Sequence, residues 1–295
     1  MNNIYHKITY ILIAVISCCS TINSQEINKQ ELSVSLSGGL SALNSKTNIG
    51  TDKNKFGGAV GFGYTYFLTE NLGIVSGLEM SLYKSEFKVD QFNNTLMNVA
   101  DPSDGELIDF YSSVSNYKEN QTATYLNIPV QIQYQQNAFG SNKFYVLGGV
   151  KIGIPIKGKY ETKNNSFVNK GYFHETGIWG GEGQEFMGFG TYTDKKSKDD
   201  LSMKVSFTLS AEAGMKWAIT SNMSLYTGLY LDYGLNNVVS DKGNFISLEE
   251  TDTGMDFVSN SVLATSYNED RKDNKFVDKV SLFAGGIKIR LAFGQ

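Results

Sequence analysis

The chain has only two histidines, and they mark the first place to look for chemistry. His6 lies in the N-terminal segment, so the mature chain keeps His174 alone, followed directly by Glu175. Nucleophilic catalysis needs a histidine held beside a hydroxyl or thiol and oriented by an acid. No serine elbow stands near His174, so a solvated loop histidine is expected there and no catalytic residue is assigned. "EETDTGMD" (249–256) sets Glu250, Asp252 and Asp256 around Gly254, loosely as a calcium loop does. It lacks the full ligand spacing and the terminal glutamate, so no metal is assigned. "GGEGQEFMGFG" is glycine-rich but no Lys-Ser/Thr follows, which rules out a phosphate loop, and no cofactor is expected. What remains is a set of charged residues inside otherwise apolar and small-residue segments: Glu79, Lys151, Glu212, Lys216, Asp232, Lys288 and Arg290. Brought into one enclosed space, they would form either a gated ion path or proton relay, or a salt-bridged plug. The second is expected.

The elements that position those charges are strands. Charged residues make up only 19 % of the chain, with 30 glycines, 3 prolines, 17 tyrosines and 18 phenylalanines. That is a β-rich, aromatic composition. A net charge of −4 gives no basic face for nucleic acid. Past residue 20 no apolar run reaches the ~18 residues of a spanning helix, which leaves a membrane barrel open because its apolar residues are interleaved with polar ones.

The N-terminus reads as an export signal. "MNNIYHK" carries Lys7 and no acid, "ITYILIAVIS" is apolar, and "TINSQ" offers cleavage after Ser24. Residues 1–24 are therefore expected to be a signal peptide, 25–30 a short periplasmic segment, and 31–295 one domain. Both cysteines, Cys18 and Cys19, fall in the signal, so the mature chain has no disulfide. "VISC" also loosely resembles a lipobox, which would acylate Cys18; cleavage after Ser24 is the expectation.

Eight segments alternate with period two: 31–43, 56–69, 71–88, 121–136, 143–159, 203–219, 223–236 and 279–293. Short links ("EN", "NAFGSN", "TSN") alternate with long ones at 44–55, 89–120, 160–202 and 237–278. All short turns thus gather at one end and all long loops at the other, as in membrane barrels with periplasmic turns and extracellular loops. A ten-stranded barrel drawing on 177–193 is the main alternative.

The side-chain types decide which face looks outward. In "YLNIPVQIQYQ" (125–135), Leu126, Ile128, Val130, Ile132 and Tyr134 oppose Tyr125, Asn127, Gln131, Gln133 and Gln135. Val205, Phe207, Leu209 and Trp217 likewise oppose small and polar residues. A lipocalin would carry dense charge on its polar face. Here that face holds glycine, hydroxyls and amides, which suit a narrow interior, so the apolar face meets lipid. Strand parity then points all seven charged residues inward. Tyr64, Tyr66, Tyr134, Trp217, Tyr233 and Phe293 suit interfacial girdles.

"YLNIPVQIQY" with "KFYVLGGVKIGIPI", and "YTGLYLDYGLNNV" with the closing "AGGIKIRLAF", resemble the PorT-like and OmpA/OmpX-like outer-membrane β-barrel domains of Gram-negative bacteria. The resemblance spans about residues 31–293. The family's assembly signal commonly ends on the aromatic, whereas Phe293 is followed here by Gly294 and Gln295, and no peptidoglycan-binding domain follows. The resemblance implies an antiparallel up-and-down barrel of eight strands in the cell outer membrane. Such a barrel is inserted by the barrel-assembly machinery, surrounded by outer-membrane lipid, and free to bind a protein or surface ligand through its loops. A non-enzymatic structural or surface-interaction role is expected, with service to a secretion or envelope system as one form of it. A narrow solute channel is the alternative; a lipid-modifying enzyme or protease ranks third.

Overall fold

The computed structural model describes residues 29–101, 105–252 and 254–294. The expected signal peptide, its cleavage after Ser24, Cys18 and most of segment 25–30 lie outside those residues.

Eight strands carry the architecture: β1 Gln30–Thr47, β2 Thr51–Phe67, β3 Leu72–Ala100, β4 Leu107–Asn137, β5 Lys143–Lys163, β6 Ser206–Thr220, β7 Met223–Gly234 and β8 Val277–Phe293. Each pairs antiparallel with the next. β8 returns to β1 from Leu32↔Phe293 to Thr47↔Val277, which closes a ring of eight. Closure leaves no ring strand with an unpaired edge, the arrangement hydrocarbon demands of a sheet. The ring is narrow where strands come closest. Gly39 faces Gly286 across the β1/β8 seam, and a Cβ on Gly39 would meet the Gly285 carbonyl oxygen at 2.2 Å.

Alternation along the strands sorts the faces as their sequences dictate. Outward residues are widely exposed, among them Phe62 at 70 %, Leu229 at 68 % and Leu32 at 64 %. On β4 the outward face runs from Leu126 to Tyr134, while Asn127, Gln131, Gln133 and Gln135 are buried inside. About nine to eleven residues suffice for a strand to cross a bilayer. Tyr66, Tyr134 and Phe293 are exposed at the short-turn end and Tyr233 toward the other, whereas Trp217 is half-buried, its indole donating to Thr227 Oγ1 at 2.9 Å.

The long-loop end departs from expectation. The link expected at 44–55 is mostly strand, with only residues 48–50 joining β1 to β2. The link expected at 89–120 is a continuation of the β3/β4 hairpin, paired from Lys88↔Lys118 up to Ala100↔Leu107. From Met80 to Ala100 this hairpin runs roughly 65 Å along the strand at ~3.3 Å per residue. The other two long links fold onto it. Strand Ser166–Phe173 pairs with β4, and the short strands Ile178–Gly180 and Gly190–Thr193 pair with that strand in turn. None of them enters the ring, so residues 177–193 do not make it ten-stranded. The last long link supplies the hairpins Ile246–Thr251/Gly254–Ser259 and Thr265–Glu269/Lys272–Lys275.

These pieces share a core. Phe92 packs edge-on against Phe245 at 5.1 Å, Phe276 at 5.0 Å and Tyr117 at 6.3 Å, and Phe110, Phe167 and Phe189 are fully buried nearby. The long-loop end is therefore a folded cap with an aromatic interior. That interior continues down through Tyr83, Tyr125 and Tyr230 to the ring.

Candidate functional site

All seven charged residues named from strand parity point into the ring. Lys151, from β5, places Nζ 2.7 Å from Glu79 Oε1 on β3 and 2.8 Å from Asp232 Oδ2 on β7. Lys288, from β8, lies 3.1 Å from Glu79 Oε2 and 3.5 Å from Glu212 Oε2. Tyr145 donates to the other Glu212 oxygen at 2.6 Å. One turn of the ladder lower, Arg290 donates to Gln133 at 2.8 Å and lies over the Tyr226 ring at 4.0 Å from its centroid. Lys216 pairs with Glu31, which also accepts from Tyr226 at 2.6 Å.

Sequence reasoning missed Glu31, Gln133, Tyr145 and Tyr226 as members of this network. The signal for Glu31 was its parity: it shares a face with Ser33 and Ser37, both buried. With Glu31 the acids number four, matching the four bases. Buried charges are tolerable only when partnered: the three lysines meet carboxylates, and Arg290 meets the Gln133 amide oxygen and the Tyr226 ring.

Among the described residues the interior is packed with side chains. Two gaps within it measure about 10 Å³ beside Asp232 and Tyr83 and about 30 Å³ beside Glu79 and Arg290. A single water needs roughly 10–15 Å³. Below them, an open vestibule of about 940 Å³ at the short-turn end stops at Glu31 and Lys216.

Above the charged layer one carboxylate ties the cap down. Glu119 is fully buried and accepts four hydrogen bonds: from Tyr117 OH at 2.9 Å, Gln121 Nε2 at 2.9 Å, Ser261 Oγ at 2.5 Å and the Val262 amide at 3.0 Å. Burial pushes its carboxyl above the usual carboxylate range, and the bonds from Ser261, Gln121, Val262 and Tyr117 only partly offset that. The turn 260–264 is thereby pinned over the mouth of the ring.

On the outside of the cap, Trp179 (55 % exposed) lies 5.0 Å from Tyr111 and 5.1 Å from Tyr172 between ring centroids. His174 sits beside them, Nε2 3.1 Å from Asp109 Oδ1 and its ring edge-on to Tyr172. This is an exposed histidine against a buried carboxylate in an aromatic cluster, without the layout of a nucleophile and its base. Asp256 pairs with Lys195, and among the described residues no three His, Cys, Asp or Glu side chains are grouped to hold a metal.

A closed antiparallel ring with a lipid-facing apolar wall and a packed polar interior defines an integral barrel of the outer membrane. The chain belongs to the outer membrane protein beta-barrel domain family, whose model matches residues 23–240; β8 lies beyond the match. No curated protein is similar enough to match the chain. Among solved structures it is similar to neisserial surface protein A (NspA), at 10% identity over 90% of this chain and 96% of that one, with a TM-score of 0.34. It is also similar to a major outer membrane protein of Thermus thermophilus, at 15% identity over 90% and 99%, with a TM-score of 0.38. A third is Ail of Yersinia pestis, solved with the heparin analogue sucrose octasulfate, at 11% identity over 90% and 99%, with a TM-score of 0.29.

Proposed function

We propose that this barrel is a non-enzymatic surface-interaction protein, of the PorT-like or OmpA/OmpX-like kind, whose cap faces out of the cell and carries recognition. The chain would be exported by residues 1–24 and inserted by the barrel-assembly machinery, and it would serve adhesion, envelope integrity or a secretion system. The observation that carries this reading is the cap itself. Residues of β3, β4 and both large links build a folded body far beyond the apolar band, and that body presents Trp179, packed on the half-buried Tyr111 and Tyr172, where no bilayer reaches it. Exposed aromatic clusters of this kind are enriched where proteins meet partners. The narrow-channel reading draws on the vestibule at the short-turn end. Against it stand the filled interior and the pinned turn 260–264 above.

Orientation is tested by single cysteines. In intact cells a membrane-impermeant maleimide labels Trp179→Cys, and Ser221→Cys in a short turn reacts only after the envelope is opened. Labelling of Ser221→Cys in intact cells with Trp179→Cys protected would put the cap in the periplasm and end the surface reading.

A further inference from the structure

The vestibule at the short-turn end carries a charge that the chain leaves unbalanced. Lys143, the first residue of β5, stands directly opposite Lys216 on β6, and both line the opening. Like charges directly opposed across strands are destabilising. Lys216 is answered by Glu31, whose other oxygen accepts from Tyr226 at 2.6 Å, so that carboxylate is fully engaged. Lys143 meets no carboxylate among the described residues. Lys29 brings the lysines of the lining to three, against Glu31 and the exposed Glu70. The rest of the lining is of two kinds. Phe67, its ring centre 5.4 Å from the Lys216 ammonium, shares the wall with Leu68 and Ile219, each 50 % exposed. Hydroxyls and an amide supply the remainder, from Thr69, Thr220, Ser221 and Gln135. Gln135 is buried and donates from Nε2 to the Glu70 carbonyl oxygen at 2.8 Å, which leaves its Oε1 as an acceptor with no partner among the described residues. Buried acceptors are rarely left so.

The geometry points to a binding site, inside this vestibule, for the carboxyl-terminal end of a peptide whose last side chain is apolar. Four features select that occupant. A carboxylate placed between Lys143 and Lys216 neutralises the first and removes the repulsion between the two. Phe67, Leu68 and Ile219 give the terminal side chain an apolar wall, which an inorganic anion would leave bare. Gln135 Oε1 lacks a donor, and the terminal amide N–H of a peptide is one, whereas a fatty acid carboxylate carries none. Shape is the fourth. The vestibule is blind, stopping at Glu31 and Lys216 beneath the packed interior, so it receives the end of a chain and excludes its middle. At about 940 Å³ it has the capacity of a ligand pocket, roughly 300–1,000 Å³, and holds a short terminal segment while the chain behind trails outward. With the cap outside the cell, that chain lies in the periplasm.

Only the compartment depends on the cap facing outward. The test is run on purified protein in zwitterionic detergent, where binding is independent of orientation and of what the cap recognises, so the two readings fail separately. The probe is the peptide Gly-Ser-Ser-Leu, labelled with a fluorophore at its amino end and followed by anisotropy. The free acid is expected to bind at least tenfold more tightly than the same peptide with an amidated C-terminus, the cost of losing a charge-assisted contact. That comparison uses the unaltered protein and does not depend on any variant folding. Lys143→Gln, its folding checked by the heat-dependent gel shift, is expected to lose about tenfold, Lys143→Arg to keep most of the affinity, and Lys272→Gln, on the far cap hairpin, to keep all of it. Leu68→Ser/Ile219→Ser, at exposed positions, is expected to erase the preference for a final leucine over a final glycine. Equal binding of acid and amide, undiminished binding by a folded Lys143→Gln, or no binding of the free acid would each overturn the assignment. So would displacement of the peptide by dodecanoate or inorganic phosphate as readily as by unlabelled peptide, which would make this a site for lipid acids or for anions at large.

Discussion

Lys151→Met destabilises the folded barrel by about 3–5 kcal/mol, the cost of stranding a buried charge by removing its partner. Lys151 holds Glu79 and Asp232 together at 2.7 and 2.8 Å, and all three are at most 5 % exposed. Glu79 keeps Lys288 after the change, but Asp232 does not fare so well: its Oδ1 already has no protein partner among the described residues, and its Oδ2 loses Lys151. The damage therefore concentrates on Asp232. Lys151→Met/Asp232→Leu removes the stranded charge as well and is expected to recover most of the loss. The measurement is the urea midpoint of the folded gel form in detergent micelles. A single variant as stable as the parent, or a double variant no better than the single, would show that the layer is solvated and the pairing unimportant.

Glu119→Ala is expected to free the cap without unfolding the ring. Four donors converge on this carboxylate, and each buried donor left without an acceptor costs ~1–3 kcal/mol. Two of them, Ser261 Oγ and the Val262 amide, belong to the pinned turn. Amide exchange and protease cleavage at 260–264 rise at least a hundredfold in the variant, while the slow amides of β1 and β8 stay protected. The pH dependence follows from the sign of the shift. The closed cap raises the Glu119 carboxyl above its value in the open state. Closing therefore takes up a proton between the two values, and the closed state gains stability as pH falls from neutral through the raised value, levelling off below the open-state value. Glu119→Gln removes that dependence. Cap opening that grows steeper with acid over the same interval would reverse the sign and exclude Glu119 as its source.

Strand parity made the ring and its charged interior legible, because a period of two needs only residue types. Lys288 and Arg290 fall on one face whatever the neighbouring strands do, as do Glu212 and Lys216. Partners were another matter. Which acid meets Lys151 depends on strand tilt and register, which bring β3, β5 and β7 to one level, and neither is written in any single strand. The cap was hidden for a different reason. Ile108, Phe110, Ser112 and Val114 alternate inward on β4, but the facing strand shifts register between Leu96 and Val99, and its stretch of asparagines carries little β signal. Its apolar residues bury against each other across links distant in sequence, so Phe92 needs Phe245 and Phe276 before its burial makes sense. Lys143 showed no pattern at all until register set it opposite Lys216 across β5 and β6.

The central claim is a membrane-spanning ring of eight strands with a filled interior. Heat-modifiable gel migration and planar-bilayer conductance on the same purified preparation test it together. A boiling-dependent shift with no steady conductance is the expected result. Steady single-channel currents from the shifted form would contradict it, making the Glu79–Lys151–Asp232 layer a path in place of a plug.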